Sequence, residues 1–246
     1  MDRIDKVCSL LRNSKNTIVL TGAGISTDSG IPDFRSADNG IWNKIDPMEA
    51  LSSKVLINNP KKFYSQGYQL LDNMTGFKPN DGHKALRELE KRGLVDYLIT
   101  QNIDDLHYKA GSEKVFEVHG NIRTGSCIKC GREVKLDVIT DKVNRGEIPP
   151  KCDICNGILR PDVVMFGDRL PEDFNKAWQL ADGCELLIVV GSSLSVAPVN
   201  FLPKLAKKLV IINLEPTPFD NIAEVVINDN CSLVLNEILN KIDKVE

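Results

Sequence analysis

Four cysteines fall in two pairs, Cys127-x-x-Cys130 and Cys152-x-x-Cys155, with 21 residues between the pairs. This is the spacing of a zinc ribbon, in which four thiolates close a tetrahedron around one Zn²⁺ and leave no position for water; such an ion is structural and not a Lewis acid. Gly131 and Gly157 beside the pairs allow the tight turns that bring the sulfurs together, and a pair of redox dithiols is the weaker alternative. A second set of residues offers chemistry of another kind. His119-Gly120 follows the apolar run Val115-Phe116-Glu117-Val118, and an imidazole with a pKa near 6.5 can accept a proton at neutral pH. Thr100-Gln101-Asn102-Ile103-Asp104 follows Tyr97-Leu98-Ile99. Helix capping accounts for one of its hydrogen-bonding side chains, while Gln101 and Asn102 suit ribose hydroxyls or a bound water. His83, after Pro79-Asn80, and His107, on an expected helix, read as hydrogen-bonded structural histidines. No GxSxG elbow and no HExxH pair occurs, so a serine hydrolase and a catalytic zinc protease are unsupported.

Gly22-Ala23-Gly24-Ile25-Ser26, fed by the apolar run Thr17-Ile18-Val19-Leu20-Thr21, begins like a dinucleotide-binding loop, where backbone N–H groups cradle a pyrophosphate at a helix start. It does not continue as one. Position 27, where the fingerprint has its third glycine, is Thr27; Gly30 and Pro32 stop a helix within two turns; and no recognisable strand ends near Asp46. Taken alone, such a glycine pair is as compatible with a plain tight turn.

The elements that must position these residues are legible as further continuous apolar runs, 97–100, 115–118, 186–190, 209–212 and 225–227, separated by helical patterns at 84–92, 172–182, 199–207 and 231–242. Runs without polar alternation mark strands covered on both faces, hence a parallel, doubly wound α/β sheet of Rossmann-like type, with ligands expected at the carboxyl ends of its strands. An opening helix carries Ile4, Val7, Cys8 and Leu11 on one face. Two stretches break the alternation. Residues 36–80 hold a helix opening at Asn59-Pro60, with Phe63, Tyr64, Gly67, Tyr68 and Leu71 at helical spacing, and residues 121–160 hold the paired cysteines. The expected organisation is therefore a nucleotide-binding domain from 1–35, 81–120 and 161–246, and a small inserted domain from 36–80 (helical) and 121–160 (zinc ribbon).

Bulk properties narrow the partners. The 246 residues carry 31 Lys plus Arg and 34 Asp plus Glu, a net charge of −3, which gives no drive toward nucleic acid or anionic lipid. In 121–160, eight basic residues face five acidic ones, a net of +3 that four thiolates with one Zn²⁺ would offset by −2, and no Phe, Tyr or Trp offers a stacking platform. No apolar run approaches the roughly 20 residues of a membrane helix, and seven cysteines, three of them isolated (Cys8, Cys184, Cys231), suggest metal and not disulfides. The expectation is a soluble cytoplasmic protein, a monomer, without direct nucleic-acid or membrane contact.

Taken in order, the motifs 22–26, Gly30-Ile31-Pro32-Asp33-Phe34-Arg35, 100–104, His119-Gly120, the cysteine quartet, Arg160-Pro161 with Phe166-Gly167, and Gly191-Ser192-Ser193 resemble the sirtuins, NAD-dependent protein-lysine deacylases, over nearly the whole chain. The resemblance implies that NAD is a co-substrate. The carbonyl oxygen of an acylated lysine attacks C1′ of the nicotinamide ribose, nicotinamide leaves, and the acyl group passes to ADP-ribose; mono-ADP-ribosyl transfer or NAD hydrolysis at the same site is the alternative. It further implies that Ala23, Gly24 and Thr27 approach the phosphates and Arg35 positions them, that Gly22, Ser26 and Asp33 also bind the cofactor, that Phe34 shields the ribose within a segment from Gly30 to about Asn39, and that Gln101 and Asn102 order the ribose and a water. By the same resemblance Ile103 and Asp104 would hold the nicotinamide carboxamide, His119 would be the general base on a ribose hydroxyl, and His119, Asn102 and Asp104 would form the catalytic set. Gly191, Ser192, Ser193, Asn213, Leu214, Glu215 and Cys231 hold the adenosine half. Val164, Phe166 and Gly167 line the acyl-lysine tunnel and pair with the peptide as an added strand. Two departures stand out. Gly67 occupies the position where relatives that remove acidic acyl groups place an Arg three residues after Tyr64, which predicts a preference for acetyl and other neutral acyl groups, and Glu215 stands where many relatives have Gly.

Overall fold

The computed structural model describes residues 2–33 and 46–244. Nine strands are present among them: β1 (Thr17–Thr21), β2 (Tyr97–Thr100), β3 (Val115–Glu117), β4 (Gly120–Cys127), β5 (Glu133–Lys135), β6 (Leu159–Val163), β7 (Leu186–Val190), β8 (Leu209–Ile212) and β9 (Val225–Ile227). Six form a parallel sheet in the order β3-β2-β1-β7-β8-β9. Counted along this sheet alone the order is 3-2-1-4-5-6, the doubly wound arrangement, whose switch point falls between β1 and β7.

The apolar runs follow from this topology. Side chains alternate across a strand, so Val19 joins the core under one face while Ile18 and Leu20 join the core under the other. The first face is covered by the helices Arg3–Asn13, Asp81–Lys91 and Cys231–Asp243. The second is covered by the helix Glu172–Ala181 and the segment Val199–Lys204. That segment, where the pattern predicts a helix, is a 3₁₀ turn, since Pro203 inside it has no N–H for an α-helical bond.

A third core lies to one side. Residues β4, β5 and β6 form an antiparallel sheet, order β5-β4-β6, that packs with the helix Leu136–Asn144 and the helical stretch 60–72 around Phe63, Tyr64, Tyr68, Leu71, Ile139 and Leu159. The stretch opens as its sequence predicts, with Asn59 Oδ1 accepting from Lys62 N at 3.1 Å and Pro60 in the first turn. It then widens into a π turn at Phe63–Gly67. A Cβ on Gly67 would stand 2.0 Å from the Ala50 carbonyl oxygen, so this close approach admits glycine alone.

Candidate functional site

The carboxyl ends of β1, β2 and β7 bring the polar motifs together. After β1 the chain enters a 3₁₀ helix, Ala23–Ser29, that ends at Gly30 in the left-handed region (φ 93°), so the turn is short, as Gly30 and Pro32 predict. The loops after β1 and β7 touch: Gly22 N donates to Val190 O at 3.1 Å and Gly24 N to Gly191 O at 2.8 Å. A Cβ on Gly191 (φ 62°) would stand 2.4 Å from Ile25 N, and one on Gly24 would stand 2.8 Å from Gly191 Cα. Part of the glycine requirement is therefore loop-on-loop packing, a reason that the spacing of glycines does not reveal.

Asn102, Ser26 and Asp104 form a buried chain of hydrogen bonds. Asn102 Nδ2 donates to Gly22 O (3.0 Å) and to Ser26 Oγ (3.1 Å), and Ser26 Oγ donates to Asp104 Oδ2 (2.6 Å). Asp104 Oδ1 accepts from Leu106 N at 2.9 Å, a side-chain turn just ahead of the helix Leu106–Lys109, whose N-cap residue Asp105 makes no side-chain capping bond. Burial pushes the Asp104 carboxyl above its ordinary range, against the opposing pull of the Ser26 bond. Gln101 reaches across β1, its Nε2 donating to Ser192 Oγ at 2.8 Å, while Ile103 is buried and its carbonyl accepts from Ile122 N at 3.1 Å.

His119 is half-buried in the two-residue link between β3 and β4. Its Nδ1 lies 3.0 Å from the Gln101 carbonyl oxygen. A carbonyl only accepts, so Nδ1 carries the proton and Nε2 keeps a lone pair. Burial lowers the pKa of this imidazole, with the Gln101 bond opposing, so the ring is neutral and basic at pH 7. Gly120 beside it has φ 75°, and a Cβ there would stand 2.0 Å from Asp162 O.

Thr27 Oγ1 donates to Gly24 O at 3.0 Å, and Asp33 is partly exposed. Ser193 and Ser195 hydroxyls lie 2.8 Å apart; Asn213 Nδ2 donates to Glu215 O at 2.7 Å; Leu214 is exposed. Cys231 is buried at the start of its helix, with its thiol pushed up to about 12 by burial, which leaves it a packing role. Phe34 and Arg35 lie outside the described residues, as does the rest of the expected ribose-covering segment through Asn39. Val164 N donates to His119 O at 2.9 Å. Phe166 N donates to Leu51 O (3.0 Å) and Ser53 N to Phe166 O (3.1 Å), so those backbone groups of Phe166 already pair within the chain. The sequence does not announce the cluster around Arg123, which donates to Glu117 (2.7 and 2.6 Å) and to Asp105 (2.7 Å) over the Tyr108 ring; one basic residue in a ribbon carries no local mark of partners on β3 and beyond β2.

The four cysteines converge: all four sulfurs lie within 4.8 Å of one another, with Cys127 to Cys155 at 3.4 Å and Cys130 to Cys152 at 3.9 Å. A tetrahedron with Zn–S bonds of about 2.3 Å has edges of about 3.8 Å, so the set fits one zinc ion. Gly157 is part of the fit, because a Cβ there would stand 2.8 Å from Cys127 Sγ.

Comparison with known proteins converges on one family. The Sir2 family model matches residues 22–198. The NAD-dependent protein deacetylase 2 of Caldanaerobacter subterraneus subsp. tengcongensis is 53% identical over 237 residues, 96% of this chain and 95% of that one. The NAD-dependent protein deacetylase of Saccharolobus solfataricus is 41% identical, covering 97% of this chain and 96% of its own. A solved Sir2 structure with deacetylated p53 peptide and 3′-O-acetyl ADP ribose superposes with a TM-score of 0.91 at 38% identity, covering 97% of this chain and 98% of that chain. Another, bound to a propionylated peptide, has a TM-score of 0.87 at 37% identity and 98% coverage of both chains. With sequence and structure matched along nearly their full lengths, this chain belongs to the Sir2 family.

Proposed function

We propose that this chain is an NAD-dependent protein-lysine deacylase that releases nicotinamide and passes the acyl group of a modified lysine to ADP-ribose. NAD would supply the scissile bond to nicotinamide and the ribose hydroxyl that receives the acyl group. The observation that carries the reading is the tautomer of His119: its proton is fixed on Nδ1 by the Gln101 carbonyl, so Nε2 is a neutral base at the carboxyl edge of the sheet, next to the Asn102–Ser26–Asp104 chain. Nε2 takes the proton of a ribose hydroxyl; Asn102 and Asp104, held by Ser26, keep the floor rigid; the loops after β1 and β7 carry the phosphates and adenosine. Val164, whose N–H bonds the His119 carbonyl, together with Phe166 and Gly167, receives the acyl-lysine.

Neutral acyl groups fit this site better than acidic ones. The Tyr64 hydroxyl is buried and donates to Leu159 O, and the packing of Ala50 on Gly67 leaves no room for a cation one turn on. An acidic acyl carboxylate would be buried unpaired. The cysteine quartet holds one structural Zn²⁺ that braces the ribbon against the helical stretch, and the two insertions act as one small domain. No described helix is long and apolar enough to cross a membrane, and seven free cysteines suit a reducing cytoplasm. The deciding experiment is mass spectrometry of products from an acetyl-lysine peptide with NAD. Acyl-ADP-ribose with stoichiometric nicotinamide, abolished in His119→Ala while NAD still binds, is expected. ADP-ribosylated protein or free ADP-ribose without deacylation would assign the site to transfer or hydrolysis instead.

A further inference from the structure

Two histidines that no step above uses lie beneath the glycine turn. His83, on Asp81–Lys91, and His107, on Leu106–Lys109, are both buried, with ring centroids 4.9 Å apart and planes at 59°. Each ring's proton can be placed from its partner. Asn80 directs its Nδ2 at Ile25 O (2.7 Å) and Ser29 Oγ (3.0 Å), so its Oδ1 is the atom 3.0 Å from His83 Nδ1, and that contact requires the proton on Nδ1. The Thr21 hydroxyl donates to Thr100 Oγ1 at 2.8 Å, so its 2.9 Å contact with His107 requires the proton on Nε2. The opposite nitrogens, His83 Nε2 and His107 Nδ1, have no hydrogen-bond partner among the described residues. Burial keeps both rings neutral, with His107 lowered to about 4 and His83 to about 2. Two arms thus diverge from one tilted pair of rings. His83 through Asn80 reaches the underside of Ala23–Ser29; His107 through Thr21 reaches Thr100 Oγ1, which also accepts from Asn102 N at 3.1 Å.

We propose that His83 and His107 are positioning residues for NAD: two neutral imidazoles, one proton each, hold the turn after β1 and the segment after β2 in the mutual register that nucleotide binding requires, without touching the nucleotide. The proposal rests on the functional reading above. His107→Phe keeps a flat ring beside His83 but removes the donor to Thr21. Calorimetric titration with NAD should show Kd raised about fivefold, the worth of one buried hydrogen bond, with KM for the acetyl-peptide unchanged. His107→Gln, which restores an N–H near the same place, should recover most of the loss. Thr21→Val removes the acceptor from the other side, and the double variant should be no worse than the poorer single one. His83→Phe should act more weakly, because Asn80 Oδ1 keeps the donors Gly82 N and Ser232 Oγ. Should His107→Phe fail to fold, Thr21→Val and His107→Gln carry the same comparison. Wild-type NAD binding with unchanged variants, additive losses, or an equal rise in peptide KM overturns the proposal alone. Wild-type protein that binds no NAD overturns the functional reading and this one with it.

Discussion

Arg123→Leu removes a cation shared by the buried Glu117 and the partly buried Asp105. The guanidinium on β4 bonds Glu117 on β3 and Asp105, whose side chains are 8% and 15% exposed, while its own is 34% exposed. Leucine retains much of the contact with Tyr108 but leaves both carboxylates in place. Breaking a buried pair from one side costs about 3–5 kcal/mol; water at the partly exposed guanidinium reduces this to about 2–3 kcal/mol. The loss carries a pH signature. Burial already holds the Glu117 carboxyl above its ordinary 4.5 despite Arg123, and without the cation it rises further. A carboxyl whose folded-state pKa is raised binds its proton more tightly when folded, so the folded variant gains stability as pH falls through that pKa toward the unfolded value. Urea unfolding of the wild type, Arg123→Leu, Glu117→Gln and the double variant, at about pH 7.5 and about pH 5.5, reads the effect directly. The expected results are a penalty of about 2–3 kcal/mol for Arg123→Leu at the higher pH, a smaller one at the lower, and substantial recovery in the double variant. A penalty equal at both pH values, or one that Glu117→Gln leaves in place, would refute the reasoning.

Other outcomes follow from the same geometry. Cys127→Ser, or chelation of the wild type, should release about one zinc ion and lower the unfolding temperature, with metal content read by plasma emission; full stability without metal contradicts a structural ion. Gly67→Ala should cost about 3 kcal/mol in urea unfolding, because its Cβ would meet backbone at Ala50 and no rotamer relieves that; a loss within error contradicts the packing described. Because burial lowers the His119 pKa, kcat/KM should fall with acid only below pH 6.5, as the base becomes protonated; a limb above that pH means another group titrates. Succinyl-lysine peptide should be turned over far more slowly than its acetyl counterpart, and equal rates contradict the reading of Tyr64 and Gly67.

The sheet was legible in the sequence because burial on both faces removes polar alternation. Each continuous apolar run from Thr17-Ile18-Val19-Leu20-Thr21 to Val225-Val226-Ile227 is a strand of the parallel sheet. The cysteine quartet was legible because metal geometry restricts spacing to a few patterns. His83 and His107 are buried and hydrogen-bonded, as read, but the contact of their rings depends on two helices that meet only in the fold. Arg123 with Glu117 and Asp105, and Phe166 with Leu51 and Ser53, escaped for the same reason: long-range pairings leave no local periodicity. The glycines show a subtler limit. Their positions announce a loop, while their cause, the contact between Gly24 and Gly191, joins two segments far apart in sequence.

His119 stands where one sheet becomes the other: Val118 N is tied to Thr100 O at 3.1 Å in the parallel sheet, and His119 O accepts from Val164 N at 2.9 Å beside the antiparallel one. The imidazole therefore rides on a lever with one arm in each body. Any shift of Val164 against the parallel sheet would reach the imidazole through a single peptide unit and change the direction of Nε2. The ribbon is thus no detachable ornament, since cutting it away would remove one of the two backbone anchors of this imidazole.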